Sequence, residues 1–173
     1  MPMVDQAVIN FACYEDAKDF LGLASATLPD VDFIVATVSG AGIAGNVEAP
    51  IIGHMNAMTA QLKFRTFSAE SLKLQEPREH NIDLRAAQQV YDPIAGVYKT
   101  QAVKHVLVLV PKTLSNGNIA PASPTDGSGS YAVLRWVTYI DGAKTMELDP
   151  YNYICELNGV DYLSDTRKAL GKS

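Results

Sequence analysis

The feature that most constrains the fold is a strict alternation of apolar and polar side chains in Asn56–Thr66. The apolar members occupy every second position: Met58, Ala60, Leu62 and Phe64. The polar members lie between them: Thr59, Gln61, Lys63 and Arg65. A period of two is typical of a β-strand with one buried face and one wet face. The run therefore predicts a strand whose polar set faces solvent.

Runs rich in β-branched and aromatic residues recur along the chain and predict further strands. These are Val31–Val38, Ile82–Tyr91, Val97–Val110, Tyr131–Asp141 and Lys144–Leu148. Asp141-Gly142 joins the last two and is a strong signal for a type I′ turn.

Helix is predicted in only two short segments. Phe67–Leu74 has a plausible N-cap at Ser68, and Ser164–Leu170 could be capped by Ser164 and closed by Gly171. We therefore predict a mainly β fold, an antiparallel β-sandwich or split barrel with one or two short helices.

Length and charge limit the domain count and the partners. A chain of 173 residues and 18.7 kDa predicts a single domain over 1–173, which would expose about 8,300 Å² if compact. The net charge of −5 argues against a surface that coats nucleic acid or binds anionic membranes. Residues 1–60 hold seven acids and one base, whereas the remainder is nearly balanced. Oppositely biased faces could meet head to tail, although a solvated acidic face is the simpler alternative.

The ends and the cysteines indicate no export or membrane segment. Cys13 and Cys155 form no disulfide framework, so we expect buried, reduced thiols. Met1–Phe20 has no signal-peptide pattern, and Phe33–Val47 is too short and too rich in glycine to span a bilayer. We expect a soluble protein that folds in the cytoplasm.

Two segments are longer than most connections, since loops beyond about 12–15 residues are usually functional or disordered. The 113–130 segment is polar and has the composition of a disordered tip. The 39–55 segment instead carries apolar residues that would prefer to be covered, among them Ile43, Ile51 and Met55. We interpret it as a loop that a partner buries.

Gly40–Gly45 is a literal GxGxxG directly after a predicted strand. A dinucleotide site requires a helix after these glycines, so that backbone N–H groups reach the pyrophosphate. Pro50 would break such a helix within its first two turns. The glycines therefore predict a flexible or tightly bent loop.

Other residues capable of chemistry lack the spacing that catalysis or metal binding requires. We interpret the three histidines as ordinary surface or strand residues: His54, His80 and His105. We interpret the early acids as a solvated run: Glu15, Asp16 and Asp19. The sequence predicts no enzyme, no metal site and no cofactor.

The order of three further stretches is informative. The first is Leu21–Pro29, which ends in Thr-Leu-Pro. The second is the strand before Gly40–Gly45, these glycines, and the segment that continues from them to Phe67. The third is Tyr151–Asp161, which is followed by Arg167 and Leu170-Gly171. Asn158-Gly159-Val160-Asp161 is the most specific piece. In this order the stretches, which cover roughly residues 10–171, resemble the major tail tube protein of contractile phage tails, in its P2-like family.

The resemblance implies the tail-tube fold, with subunits in hexameric rings that stack head to tail into a hollow tube. Strands of each subunit would join a continuous inner barrel, and a long loop between two early strands would reach the neighbouring ring. Ring closure would also pair the free strand edges. We therefore expect an inter-ring or intersubunit contact in the 39–55 segment, made by Gly40, Gly42, Ile43, Gly45, Val47, Pro50, Ile51 and Ile52.

The tube would conduct DNA or be driven through an envelope on sheath contraction. Its lumen should be polar and without a cationic lining, because phosphate contacts would retard DNA. The polar set of the first strand provides lumen candidates: Thr59, Gln61, Lys63 and Arg65. Lys63 and Arg65 fit that role poorly, so either they pair with acids across the ring or the wet face is not the lumen.

The expected partners are further copies of the chain, the tail sheath, and the tape-measure, baseplate and tail terminator proteins. DNA would pass through the lumen without tight binding, and the tube would be a virion component assembled in the host cytoplasm. The 113–130 segment would lie outside the tube or at a ring junction. A genuine phage tail and a phage-derived bacteriocin or injection device stay equally open. A soluble ligand-binding β-barrel module is the alternative.

Overall fold

The computed structural model describes residues 3–172, which form twelve strands and two short helices. The strands are β1 (Val4–Glu15), β2 (Asp19–Leu21), β3 (Leu23–Thr27), β4 (Phe33–Val38), β5 (Val47–Met55), β6 (Met58–Phe64), β7 (His80–Asp92), β8 (Val97–Ser115), β9 (Gly127–Ile140), β10 (Ala143–Asp149), β11 (Ile154–Leu157) and β12 (Val160–Asp161). The helices are α1 (Ala69–Lys73) and α2 (Ser164–Ala169). Within residues 3–172, neither helix is long and apolar enough to cross a bilayer.

Ten of the strands form one continuous antiparallel sheet, which folds into two layers that share the long strands β8 and β9. One path runs β12-β11-β10-β9-β8-β7-β1-β2, while β6 pairs with both β9 and β3. β9 changes partner along its length, because 127–133 pairs with β6 and 136–140 pairs with β10. On the other side, β2 pairs with β1 and β3 pairs with β6, with Gly22 between them. The predicted mainly β, antiparallel fold is confirmed.

The core lies between the two layers and is filled by side chains. The alternation of β6 is confirmed, since its apolar members are buried: Met58, Ala60, Leu62 and Phe64. They share one core cluster with fully buried residues of β7, β8 and β9, including Ile82, Leu107 and Tyr131. Burial of each such side chain stabilises the fold by about 1.5–3 kcal/mol.

Several local predictions are confirmed. Ser68 caps α1, and a reciprocal hydrogen bond with Ser71 completes a capping box. Asp141 and Gly142 both have positive φ, as a type I′ turn requires. Cys13 and Cys155 are buried free thiols, and burial, with the Asp83 carboxylate, raises the pKa of Cys13 to about 12.

The lengths predicted for the two long loops are wrong. β5 occupies 47–55, so the first connection is a hairpin whose turn is 39–46. Pro50 is tolerated because β5 pairs only with β4 and leaves its other edge free of the ladder. The second loop shortens to 116–126, because β8 extends to Ser115 and β9 begins at Gly127. In β9, Gly129 lies against the Tyr131 ring, which occupies the space that a side chain at position 129 would need.

The sequence failed to predict β1, the longest strand before β7. Two register shifts, between Asp5 and Ala7 and between Val8 and Asn10, interrupt its alternation. The interpretation of the early acids as a solvated run is wrong for Glu15, which is fully buried. The cap predicted at Ser164 is also wrong, since α2 begins after Leu163 without a side-chain cap.

The folded chain exposes 10,789 Å². A compact protein of this mass would expose about 8,300 Å², roughly 2,500 Å² less. The difference reflects parts of the chain that project from the packed layers.

Candidate assembly surfaces

The β4–β5 hairpin is a separate two-stranded sheet. Its turn contains three glycines at positive φ: Gly40, Gly42 and Gly45. Residues with a side chain rarely adopt this backbone conformation. This matches the predicted tightly bent loop, but a strand and not a helix follows it. An isolated two-stranded hairpin is only marginally stable in water.

Large apolar side chains of the hairpin are exposed to solvent. They are Phe33, Val35, Val38, Ile43, Val47, Ile51 and Ile52, the last with 70% of its surface exposed. The predicted inter-ring residues therefore lie together on one projecting element, with Val47 opposite Val38 and Pro50 opposite Val35. By this register Val38 and Val47 lie on one face of the hairpin and Val35 and Pro50 on the other, so both faces expose apolar side chains. Exposed apolar surface of this extent marks a site of protein association.

The base of the hairpin is fixed against the body. The amide of Asn56 donates to the Asp32 carbonyl over 2.8 Å. Gly53 lies so close to Leu163 that a Cβ at this position would be 2.5 Å from Leu163 Cγ. Beside this contact is an open cleft of about 600 Å³, lined by residues that include Ile51 and Tyr153. The hairpin thus projects from a defined point.

Asp161 organises the segment beneath that base. Its Oδ1 accepts from the Leu163 amide over 3.1 Å, and its Oδ2 lies 2.6 Å from Arg167 Nη2. Arg167 Nη1 also donates to the Tyr153 carbonyl over 2.6 Å. Burial opposes ionisation of Asp161, but these hydrogen bonds outweigh it and lower the pKa of the carboxyl. The most specific motif of the sequence therefore has a structural role, which is to hold α2 and Leu163 in place.

The wet side of β6 belongs to a larger polar surface, which we call the hydroxyl face. It is formed by the outward side chains of β3, β6, the first half of β9 and the end of β8. The register aligns them in two rows, Thr27–Gln61–Ser130–Thr113 and Ser25–Lys63–Ser128–Ser115. Lys112 extends over this face, with Nζ 3.3 Å from Thr59 Oγ1. Three of the predicted lumen residues thus share one surface, whereas Arg65 follows at its edge and lines a cleft near Phe20.

The opposite outer surface, which we call the ion-pair face, carries charges that neutralise one another. Glu147 lies 2.6 Å from Arg135 and 2.8 Å from Lys144, and Lys144 also reaches Glu156. Burial opposes ionisation of Glu147, but hydrogen bonds from Lys144 and Arg135 lower the pKa of its carboxyl. Asp83 pairs in the same way with cations of β7 and β8.

A buried carboxylate cluster closes the end of the layers near α1. Glu15 Oε1 lies 2.7 Å from His80 Nδ1 and 3.1 Å from Arg78 Nη2, and Lys73 lies 3.4 Å from Oε2. His80 Nε2 donates to the Glu76 carbonyl over 3.0 Å. Burial opposes ionisation of Glu15, but the His80 hydrogen bond and the Lys73 charge lower its pKa. Sequence reasoning missed this pair because its members are 65 residues apart.

Two strand edges of the hydroxyl-face layer have no partner among residues 3–172. β3 pairs only with β6, and β8 pairs with β7 only as far as Leu109, which leaves 110–115 open on that side. Open edges readily pair with another chain. The residues described form no cluster of three or more potential metal ligands.

The model of the phage tail tube protein FII family matches residues 5–171. The chain belongs to this family. It is therefore a structural subunit of a phage tail tube and a component of a virion or tail particle. The family assignment confirms the resemblance noted in the sequence. No curated protein matches the chain.

Solved structures with the same fold come from contractile injection systems. The sheath/tube terminator of the extracellular system PVC, in its extended state, is 11% identical with a TM-score of 0.52, over 76% of this chain and 94% of that chain. The PVC sheath-tube complex in its extended state has 10% identity and a TM-score of 0.51, over 75% and 88%. The tube terminating cap of the anti-feeding prophage has 15% identity and a TM-score of 0.50, over 75% and 87%. At these identities the likeness extends to the fold.

Proposed function

We propose that six copies of this FII-family chain, with 1–173 as one tube domain, close into a ring, and that rings stack head to tail into a hollow tube. The tube conducts DNA or is driven through an envelope when a sheath contracts. The observation that carries the proposal is the β4–β5 hairpin, which exposes apolar side chains on an element that pairs with no other strand. A head-to-tail contact is heterologous and does not close, so it generates a filament.

Ring closure is assigned to the open strand edges. The free edge of β3 in one subunit pairs with residues 110–115 of β8 in the next, so that four strands of each subunit continue into an inner barrel. Closing the ring then removes both edges. The hydroxyl face becomes the lumen wall, with Thr59, Gln61 and Lys63 toward the channel and Arg65 at the subunit boundary.

The remaining partners follow from this assembly. The ion-pair face is then the outer wall of the tube and contacts the sheath. The ends of the tube contact the terminator and baseplate proteins, and the tape-measure protein lies inside the channel. The fold likeness to a sheath/tube terminator and to a sheath-tube complex supports this proposal. The subunits assemble in the host cytoplasm without inserting into a membrane, hold no cofactor and need no catalytic residue. DNA passes through without tight binding.

The hairpin contact is tested with Ile51→Asp/Ile52→Asp. We expect a folded monomer that no longer forms stacked rings, because a charge buried at an interface without a partner is costly. Sedimentation velocity and negative-stain microscopy at high concentration measure the loss. Leu72→Asp, on the exposed side of α1, is the control for replacing an exposed apolar side chain with an acid.

Deletion of Ile43–Ile52 is expected to give the same result, a folded subunit without stacking. Normal tubes from either variant would contradict the axial role of the hairpin.

Raising the salt concentration should also loosen the stack, if charge complementarity between the acidic first part of the chain and the rest contributes to it.

A further inference from the structure

The hydroxyl face carries cations that are not neutralised within the subunit. Among residues 3–172, the other strand cations each lie within ion-pair distance of a carboxylate: Arg85, Lys99, Lys104, Arg135 and Lys144. No such pair in this part of the chain includes Lys63 or Lys112. The two faces of the molecule therefore differ in charge balance.

The surroundings of these two lysines reinforce the difference. The four strand segments of the hydroxyl face, 23–27, 58–64, 109–115 and 127–133, contain no Asp or Glu. Most of their outward side chains are instead hydroxyls and one amide: Ser25, Thr27, Thr59, Gln61, Thr113, Ser115, Ser128 and Ser130. The row of Thr59 is completed by the apolar residues Ala132 and Val110. The face is thus a hydrogen-bonding surface with net positive charge on an acidic protein.

We propose that the hydroxyl face contacts the phosphate backbone of a nucleic acid weakly and without regard to base sequence. Lysine ammonium groups with Ser, Thr and Gln side chains are the groups that bind phosphate and sugar oxygens without reading bases. The proposal rests on the proposed function for its placement, since the face would line the channel through which DNA passes.

The geometry supports separate contacts by the two lysines. Lys112 Nζ lies beside Thr59, and Thr59 is four residues from Lys63 on β6, which is about 13 Å along a strand. The two ammonium groups can therefore engage different phosphates. Two contacts per subunit are few, so an isolated subunit binds weakly while a ring repeats the contacts around the channel. This differs from the expectation of a lumen without cations, because contacts this weak permit sliding.

The experiment measures binding of the purified chain to a fluorescently labelled 24-base-pair duplex by anisotropy, from 50 to 200 mM salt. The wild type should lose roughly tenfold in affinity over this range, as two phosphate contacts predict. Lys63→Gln/Lys112→Gln should bind more weakly at 50 mM salt, and its affinity should fall by less than about twofold over the same salt range. Lys99→Gln/Lys168→Gln removes the same charge elsewhere and should behave as the wild type.

Two results of comparing the variants and the labelled ligands would overturn the inference. One is equal binding and equal salt dependence for both double variants. The other is binding of labelled poly-glutamate in place of the duplex, which would assign the face to an acidic protein. Assembly of each variant is followed separately by sedimentation. Normal tubes from a chain that does not bind the duplex would overturn this inference and leave the proposed function intact. Duplex binding by a subunit that never forms rings would support this inference and contradict the proposed function. Loss of rings in Lys63→Gln/Lys112→Gln would show pairing with a neighbour's acids, and would also overturn it.

Discussion

The packed layers and the β4–β5 hairpin are made of similar residues but are stabilised in different ways. In the layers, apolar side chains such as Leu62 and Leu107 are fully buried, and even the buried carboxylate of Glu15 has side-chain partners in Lys73, Arg78 and His80. In the hairpin, Val47 and Ile52 are as apolar but lie in solvent. The comparison teaches that the core between the layers is complete within one subunit, whereas the hairpin lacks the surface that would bury it.

The largest effect is expected in the layers, for Glu15→Ala. Removing the carboxylate leaves His80 buried without its partner and should lower the free energy of unfolding by about 3–5 kcal/mol. Urea unfolding followed by Trp136 fluorescence measures the loss. Glu79→Ala, an exposed acid next to His80, should change stability by less than about 0.5 kcal/mol.

The same residue predicts a pH dependence. The folded pKa of Glu15 is lowered, so its contribution is present above the ordinary carboxyl value and is lost as the pH falls through the folded value. Stability of the wild type should therefore decrease as the medium is acidified below about pH 4. In Glu15→Gln that part of the decrease should disappear, and an unchanged acid limb would contradict the assignment.

An intermediate effect is expected for Gly129→Ala, also in the layers. A Cβ at this position would lie 2.5 Å from the Tyr131 ring, so the ring must shift within a filled core. Overpacking of this kind costs about 1–3 kcal/mol. Thermal unfolding by circular dichroism measures the change. Gly22→Ala is the control for the loss of a glycine, because nothing lies within 4 Å of its Cβ position and its φ is not in the left-handed region. Equal losses would contradict the packing explanation.

The smallest effect on stability is expected in the hairpin. Ile52→Thr keeps β-branching and removes apolar surface that is already exposed, so the free energy of unfolding of the monomer should change by less than about 0.5 kcal/mol. Assembly, measured by sedimentation of the same samples, should weaken. A loss of monomer stability comparable with that of Gly129→Ala would show that the hairpin packs on its own subunit and would remove the contrast.

The parts of the fold that could be predicted from sequence are those with a local signal. The alternation of β6, the cap at Ser68 and the turn at Asp141-Gly142 each depend on a few adjacent residues. β1 could not be predicted because two register shifts interrupt its period. The whole of β5 was interpreted as part of a loop, because the glycines and Pro50 signal a break, and only its edge position makes proline acceptable in this strand.

The candidate site was predictable in part for the same reason. The apolar residues of the 39–55 segment were visible in the sequence, since an apolar loop is unusual. The buried Glu15–His80 pair and the rows of the hydroxyl face were not, because tertiary contact and strand register create them. The resemblance seen in the sequence rests partly on Asp161 and Arg167, and the pairing of these two residues holds the C-terminal segment in place.

Hydrogen exchange tests most directly the claim that a neighbouring subunit completes the hairpin. Amide exchange is measured by mass spectrometry for the monomer and for assembled tubes. Peptides from 33–38 and 47–55 should exchange nearly unprotected in the monomer and become strongly protected in the tube. Peptides from β6 and β9 should be protected in both. Hairpin amides that are equally protected in the monomer and in the tube, or that stay unprotected after assembly, would contradict the account.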